Sequence, residues 1–266
     1  MLKEITLEDT IPIALGAGVL GTGGGGSTYI ARIRLEQTIK KYGPCTVIAA
    51  DDLTDDALVC SVGGMGAPTI SIEKLENGQE FVNAVRAIEN HLGKKMEAVV
   101  IGEIGGGNAL DPITSAIKLG LPIVDGDAMG RAFPELQMDT FMIAGVSPAP
   151  FALGDAHGNV VIFPNIDSAT RAEHYGRALT IQMGGSSALV MPVLNGKELR
   201  SAIIRGTLSL THSIGHRILD ARSKNEDPTE AAAEICNGQV AFRGKITDVE
   251  RRYEAGFNKG KITFAS

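Results

Sequence analysis

Apolar positions first fall into a helical rhythm at Ile11, Leu15 and Val19. Thr6, followed three residues later by Asp9, resembles a capping box, so the pattern predicts a helix over 7–19, with Pro12 in its early turns. Five glycines then crowd the six positions 21–26, and Ser27 is placed to cap a second helix over about 28–41. Strand-like runs follow at 45–50 ("CTVIAA") and 57–62 ("ALVCSV"), the second ending in a turn-rich "GGMGAP" at 63–68. A helix over 79–91 leads to a strand at 98–102 that ends in "EIGGGN" (103–108). A helix over 111–119 leads to a strand at 121–124 that ends in "DGDAMGRAFPELQ". Helices alternating with strands that are apolar throughout predict a parallel or mixed sheet buried on both faces.

The second half reads as strands at 140–146, 151–153 and 159–164, with a hairpin turn over 155–159. A helix over 168–182, a strand at 187–194, a long helix over 197–223 and a short one over 229–236 restore the α/β rhythm. From 239 to 266 apolar and polar residues alternate around a Gly-Phe turn. The expected fold class is therefore α/β: a mixed or parallel sheet flanked by helices, with the start of a small antiparallel β domain at the C-terminus. The chain divides accordingly into 1–238 and 239–266.

Composition narrows the functional classes. The net charge of −6 and the absence of Trp argue against a nucleic-acid surface, which needs a basic face or stacking platforms. Cys45, Cys60 and Cys236 are widely spaced with no CxxC pair, so neither a disulfide framework nor a closed zinc–thiolate site is expected. Cys45 and Cys60 read as small core residues. The N-terminus lacks a secretory pattern and no apolar run approaches a membrane span. The expectation is a soluble cytoplasmic protein without nucleic-acid or membrane partners; a homo-oligomer stays open.

Three glycine clusters sit at the C-terminal ends of predicted strands, where open α/β sheets bind ligands. They could converge on one cleft, with Gly64, Met65, Gly106 and Asn108 in its wall. Acidic residues accompany them: Glu103, Asp125 and Asp127 around Gly126, and Glu135. Two carboxylates one residue apart on an extended segment can share a divalent ion such as zinc, or raise each other's pKa, and either arrangement can activate water. Capping of the following turn explains Asp127 equally well. Arg131 could anchor an anionic group, or pair with Glu135 at the surface. His212 and His216 have the spacing of a metal pair, but no Glu completes an HExxH motif, and packing is the favoured reading. His157 and His174 have no partner for a triad, and no GxSxG elbow exists.

The glycine run is not a P-loop, because no Gly-Lys-Ser/Thr closes it and no strand precedes it. "GAGVLG" (16–21) fits GxGxxG but lies within a predicted helix, so a dinucleotide site is weakly supported. What remains is Gly21, Thr22, Gly23, Gly24, Gly25 and Gly26 as a run of backbone N–H groups before a helix N-terminus, suited to an anion or a developing oxyanion.

"GVLGTGGGG", "VGGMGAPTISIEKL", "EIGGGNAL", "LPIVDGDAMGRAFPELQMDT" and "FRGKITDVERR" together resemble the S-methyl-thiohydantoin desulfurase-like family, in the same order and over essentially the whole chain. The resemblance implies an α/β N-terminal domain, a mostly β C-terminal domain, and hydrolytic removal of sulfur from a thiohydantoin ring. It places the glycine loop, Glu103, Asn108, Asp125, Asp127, Arg131 and Glu135 at the site. Relatives usually continue well beyond the position of Ser266, so a shortened β domain is expected. Two functions follow as expectations. One is a hydrolase in which Asp125 or Asp127 activates water, the glycine loop stabilises the anion and Arg131 holds an anionic cyclic substrate. The other is a non-catalytic small-anion-binding or partner subunit of hydantoinase-type metabolism.

Overall fold

Neighbouring residues of the central strands point into two different cores, which is why these runs are apolar throughout. In the computed structural model, which describes residues 2–74 and 76–265, Val59, Ala98, Val100, Val124 and Leu194 pack on one side with Phe141 and Leu199. Cys60, Val62, Val99, Ile101 and Ile123 pack on the other with Ile13, Leu35, Ile88 and Ile113. Residues 1 and 266, the outer ends of the two expected domains, and Leu75 of the "VGGMGAPTISIEKL" motif lie outside the described residues.

A nine-stranded mixed sheet results. Its backbone is the parallel set β2 (Cys45–Ile48), β5 (Ile123–Asp127), β4 (Ala98–Ile101) and β3 (Leu58–Gly66), in that spatial order. β1 (Glu4–Ile5) pairs with β2, and the antiparallel strands β8 (Ser186–Asn195), β6 (Phe151–Gly154) and β7 (Val160–Phe163) extend the sheet beyond β3. The short β9 (Ile204–Arg205) pairs with the end of β5. A separate hairpin, β10 (Lys245–Glu254) and β11 (Phe257–Ala265), forms the second sheet. Helices α1 (Thr10–Gly21), α2 (Thr28–Tyr42), α4 (Glu80–Leu92) and α5 (Asp111–Leu119) feed the larger core. α6 (Thr140–Ile143) and α8 (Gly196–Ala202) cover the other face, and α7 (Ala169–Gln182) packs beside Met65, Phe151 and Leu189. α3 (Pro68–Glu73), α9 (Thr207–Ser223) and α10 (Pro228–Ile235) complete the chain. No helix of the described residues is long and apolar enough to cross a membrane.

Four expected elements differ from those observed. Residues 140–143 form α6 rather than a strand, because the Asp139 carboxylate accepts the Met142 N–H at 2.6 Å and caps a helical turn that buries Phe141. β3 runs through "GGMG" to Gly66, since β8 pairs with it along its length and compensates for the poor strand propensity of glycine. β5 likewise contains the Asp-Gly-Asp instead of ending before it. The long helix over 197–223 is broken: α8 ends near Ala202, and Gly206, at φ 76°, starts α9 afresh.

α1 and α9 approach closely enough for backbone contact. A Cβ on Gly16 would lie 1.9 Å from the Thr211 carbonyl oxygen, and one on Gly215 would lie 1.8 Å from that of Pro12. Gly16→Ala and Gly215→Ala should each force the helices apart and cost about 1–3 kcal/mol or more. Gly18→Ala, in the same helix with nothing within 4 Å, should be neutral or stabilising by up to about 1 kcal/mol. Denaturant midpoints of the three variants check the contrast.

A candidate active-site cleft at the strand ends

The parallel strands β3 and β4 end on the same side of the sheet, and the segments that leave them surround a cavity of about 310 Å³. That volume suits a small ligand. Gly21, Thr22, Gly23, Gly24, Gly25, Gly26, Gly64, Met65, Glu103, Asn108 and Glu135 all line it.

The glycine loop reaches the cavity by lying directly on the backbone after β4. A Cβ on Gly25 would be 2.0 Å from the Gly105 carbonyl oxygen, and one on Gly106 would be 2.4 Å from the Gly25 carbonyl carbon. The N–H groups of Gly107 and Asn108 donate to the carbonyls of Gly26 (3.2 Å) and Gly25 (3.0 Å). Gly106 therefore sits behind the wall rather than in it, and Gly107 lines the cavity. The N–H groups of Gly23, Gly25 and Gly26 carry no hydrogen bond to any described residue. Ser27 caps α2 through a bond from the Ile30 N–H at 3.4 Å. Free N–H groups and a helix N-terminus thus flank one wall, a setting that favours negative charge.

Asn108 links this loop to the end of β3. Its Oδ1 accepts the Gly64 N–H at 2.7 Å, while its Nδ2 donates to the Gly64 carbonyl (3.2 Å) and to Glu103 Oε1 (2.6 Å). Beyond Val62, β3 has lost β4 as a neighbour, and the Asn108 amide takes the place of a peptide there. Glu103 Oε2 accepts the Phe133 N–H at 3.0 Å. Glu103 is half-buried at the cavity wall, and desolvation pushes its carboxyl up to about 7 against the bonds from Asn108 and Phe133.

Asp125 and Asp127 do not line the cleft. Both Asp125 oxygens go to α9: Oδ1 accepts the Ser209 N–H at 3.0 Å and Oδ2 the Ser209 hydroxyl at 2.5 Å. Asp127, fully buried, accepts the N–H groups of Ile104, Met129 and Gly130 on Oδ2 at 2.9, 3.0 and 2.8 Å. Burial raises its pKa to about 6 even so. The expected pair therefore lies behind the cleft rather than in its wall, with backbone and hydroxyl donors on the carboxylate oxygens. The two carboxylates instead fix α9 and the 128–130 turn to the end of β5. Arg131 is also outside the cleft; it is exposed, donates to the Thr22 hydroxyl at 2.8 Å and stacks 5.6 Å from the Phe133 ring. Glu135 reaches the cavity but bonds Gln137 at 2.6 Å rather than Arg131.

Several lining groups had no local signal in the sequence. Arg34 of α2 forms ion pairs with Glu76 and with Asp111 at 3.3 Å. Arg177 of α7 donates to Glu173 Oε1 at 2.8 Å and the Pro134 carbonyl at 3.1 Å, and lies 4.1 Å over the Phe257 ring of the hairpin. Ser187 of β8, bonded to Thr180 at 2.7 Å, and Asn258 of β11, bonded to Thr69 at 2.8 Å, also line the cavity. Each comes from a different element, so only folding assembles them.

Two family models match the chain. The one described as "S-Me-THD-like, N-terminal domain" covers residues 8–165, and the one described as "S-Me-THD-like, C-terminal domain" covers 167–266. The nine-stranded sheet runs across that junction, since β8 pairs with both β3 and β6. A crystal structure of a protein from Chromobacterium violaceum is similar, at 28% identity and a TM-score of 0.82, over 97% of this chain and 78% of that one. No curated protein matches.

The raised carboxyl has a thermodynamic signature. In the fold Glu103 keeps its proton up to about pH 7, whereas an unperturbed glutamate loses it near 4.5. Between these values the unfolded chain binds fewer protons, so this group's contribution to stability is lost as pH rises. Glu103→Gln should match the wild type in melting temperature below pH 4.5 and exceed it above about pH 7. Thermal melts across that range check the sign.

Proposed function

The chain belongs to the S-Me-THD-like family, and from that premise we propose that it is a hydrolase acting on a cyclic thioimide or imide, with Glu103 as its acid–base group. The observation that carries this reading is the Glu103 carboxyl, raised to about 7 and held by Asn108 and Phe133 at the wall of the cavity. A pKa near the working pH lets one group both take and return a proton.

In this reading Glu103, ionised, takes a proton from water as its oxygen attacks the ring carbon that bears sulfur. The electron pair displaced from the ring C=N bond moves to nitrogen, where the N–H groups of Gly23, Gly25 and Gly26 are available to a developing anion. Collapse breaks the C–S bond. Glu103 returns its proton to the departing sulfur, and the proton of the added hydroxyl passes to the ring nitrogen. The balance is S-alkyl thioimidate plus water to imide plus thiol. Asp125 and Asp127 support the reading from behind, by fixing the segments that carry Ile104 and Met129. The two arginines that line the cleft, Arg34 and Arg177, are paired with carboxylates. That pairing supports a substrate whose negative charge develops during the reaction rather than one bound as a free anion.

Glu103→Gln should lower turnover of S-methyl-thiohydantoins and thiohydantoins by roughly 10²–10⁴-fold while the variant still binds them in thermal-shift assays. The wild-type kcat/KM should rise with pH and level off above about 7. Undiminished turnover by the variant would remove Glu103 from the mechanism. Ligand stabilisation of the wild type without any turnover would favour the non-catalytic binding subunit.

A further inference from the structure

We propose a second site, a divalent transition-metal site that joins the start of α1 to α9, with Asp9, His212 and His216 as its ligands. His212 and His216 lie one turn apart on α9, and Asp9 immediately precedes α1. His212 Nε2 is 2.8 Å from Asp9 Oδ1 and 3.0 Å from His216 Nε2, and all three candidate ligand atoms fall within 4.8 Å of one another.

Protons satisfy this contact only through a single shared hydrogen or an opposed lone pair. An imidazole nitrogen carries either a hydrogen or an in-plane lone pair. A His212 Nε2–H must be shared as a three-centre bond between Asp9 Oδ1 and the His216 Nε2 lone pair, whereas a His216 Nε2–H donated to His212 turns the His212 lone pair toward a carboxylate oxygen. A cation placed among the three ligand atoms gives each lone pair its own bond. Ligand atoms on a tetrahedral zinc with bonds of about 2.0–2.1 Å stand roughly 3.3–3.4 Å apart, a few tenths of an ångström beyond the 2.8 and 3.0 Å of the two His212 contacts. Two imidazoles and a carboxylate suit zinc, cobalt or nickel better than a hard oxygen-seeking ion.

The surroundings are those of a ligand set held in advance. The other Asp9 oxygen accepts the Thr6 N–H and hydroxyl, both at 2.8 Å, which orients Oδ1 toward the histidines. The bare-glycine contacts of Gly16 and Gly215 bring the two helices close enough for the three side chains to meet. His216 is exposed, which leaves ions a route in. None of the three residues lines the cleft, so this site is distinct from the one assigned to hydrolysis. It would clamp the helix whose far end is the glycine loop.

The test uses the full chain, stripped with a chelator and dialysed, and titrated with Zn²⁺ by calorimetry and with Co²⁺ by visible absorption. We expect one equivalent bound, a Co²⁺ spectrum of low-coordinate type, and a higher melting temperature with metal. His216→Ala, at an exposed position, should weaken binding by more than roughly tenfold, the effect that loss of even an outer-sphere partner can have. His212→Ala and Asp9→Asn should do the same, and Glu103→Gln in the cleft should leave stoichiometry and affinity unchanged. Absence of one-equivalent binding would overturn the site. So would binding indifferent to His216→Ala, or binding lost in Glu103→Gln, which would place the metal in the cleft.

Discussion

The contact on which the rest depends is the seating of the glycine loop on the backbone that follows β4. Gly25 and Gly106 lie so close that neither tolerates a side chain, and the carbonyls of Gly25 and Gly26 are taken by the N–H groups of Asn108 and Gly107. One interlock does three jobs. It carries the N-terminus of α2 to the cleft, leaves N–H groups of the loop without partners among the described residues, and fixes the backbone of Asn108. The side chain of Asn108 then bridges the loose edge of β3 and the Glu103 carboxylate.

The acidic residues divide their work by environment. Asp125 and Asp127 are buried where backbone and hydroxyl donors converge on them, so they hold the end of β5 against α9 and the 128–130 turn. Glu103 receives one bond on each oxygen and faces the cavity, so desolvation dominates and its carboxyl titrates near neutrality. Residues of one charge type, close in space, thus serve structure and candidate chemistry respectively. The Arg34 and Arg177 ion pairs complete the wall while neutralising its only two guanidinium groups among the described lining residues.

Much of the architecture was legible because its causes are local. Unbroken apolar strands, helical spacing on α2, α4 and α5, and the Ser27 cap all act within a few residues. The misread elements have one local cause and two long-range ones. The strand expected at 140–146 is a helix because one carboxylate, Asp139, caps it over a buried Phe141. "GGMG" remains strand because β8 lies beside it, more than a hundred residues later in the chain. The helix expected over 197–223 breaks where Gly206 adopts a positive φ and its N–H meets the Asp125 carbonyl.

The sequence by itself determined the α/β class, the membership of the glycine clusters and the family resemblance, since these follow from periodicity and from runs of residues read in order. Only the tertiary structure decided which polar groups face the cleft. Spacing along β5 makes Asp125 and Asp127 look like a catalytic pair, yet donors from α9 and the segments around Ile104 and Met129 consume their oxygens. It also decided that Asp9, far from His212 and His216 in the chain, meets them across the glycine contact of two helices. A carboxylate's role depends on the donors and the solvent that reach it, and those are set by segments that only folding brings together.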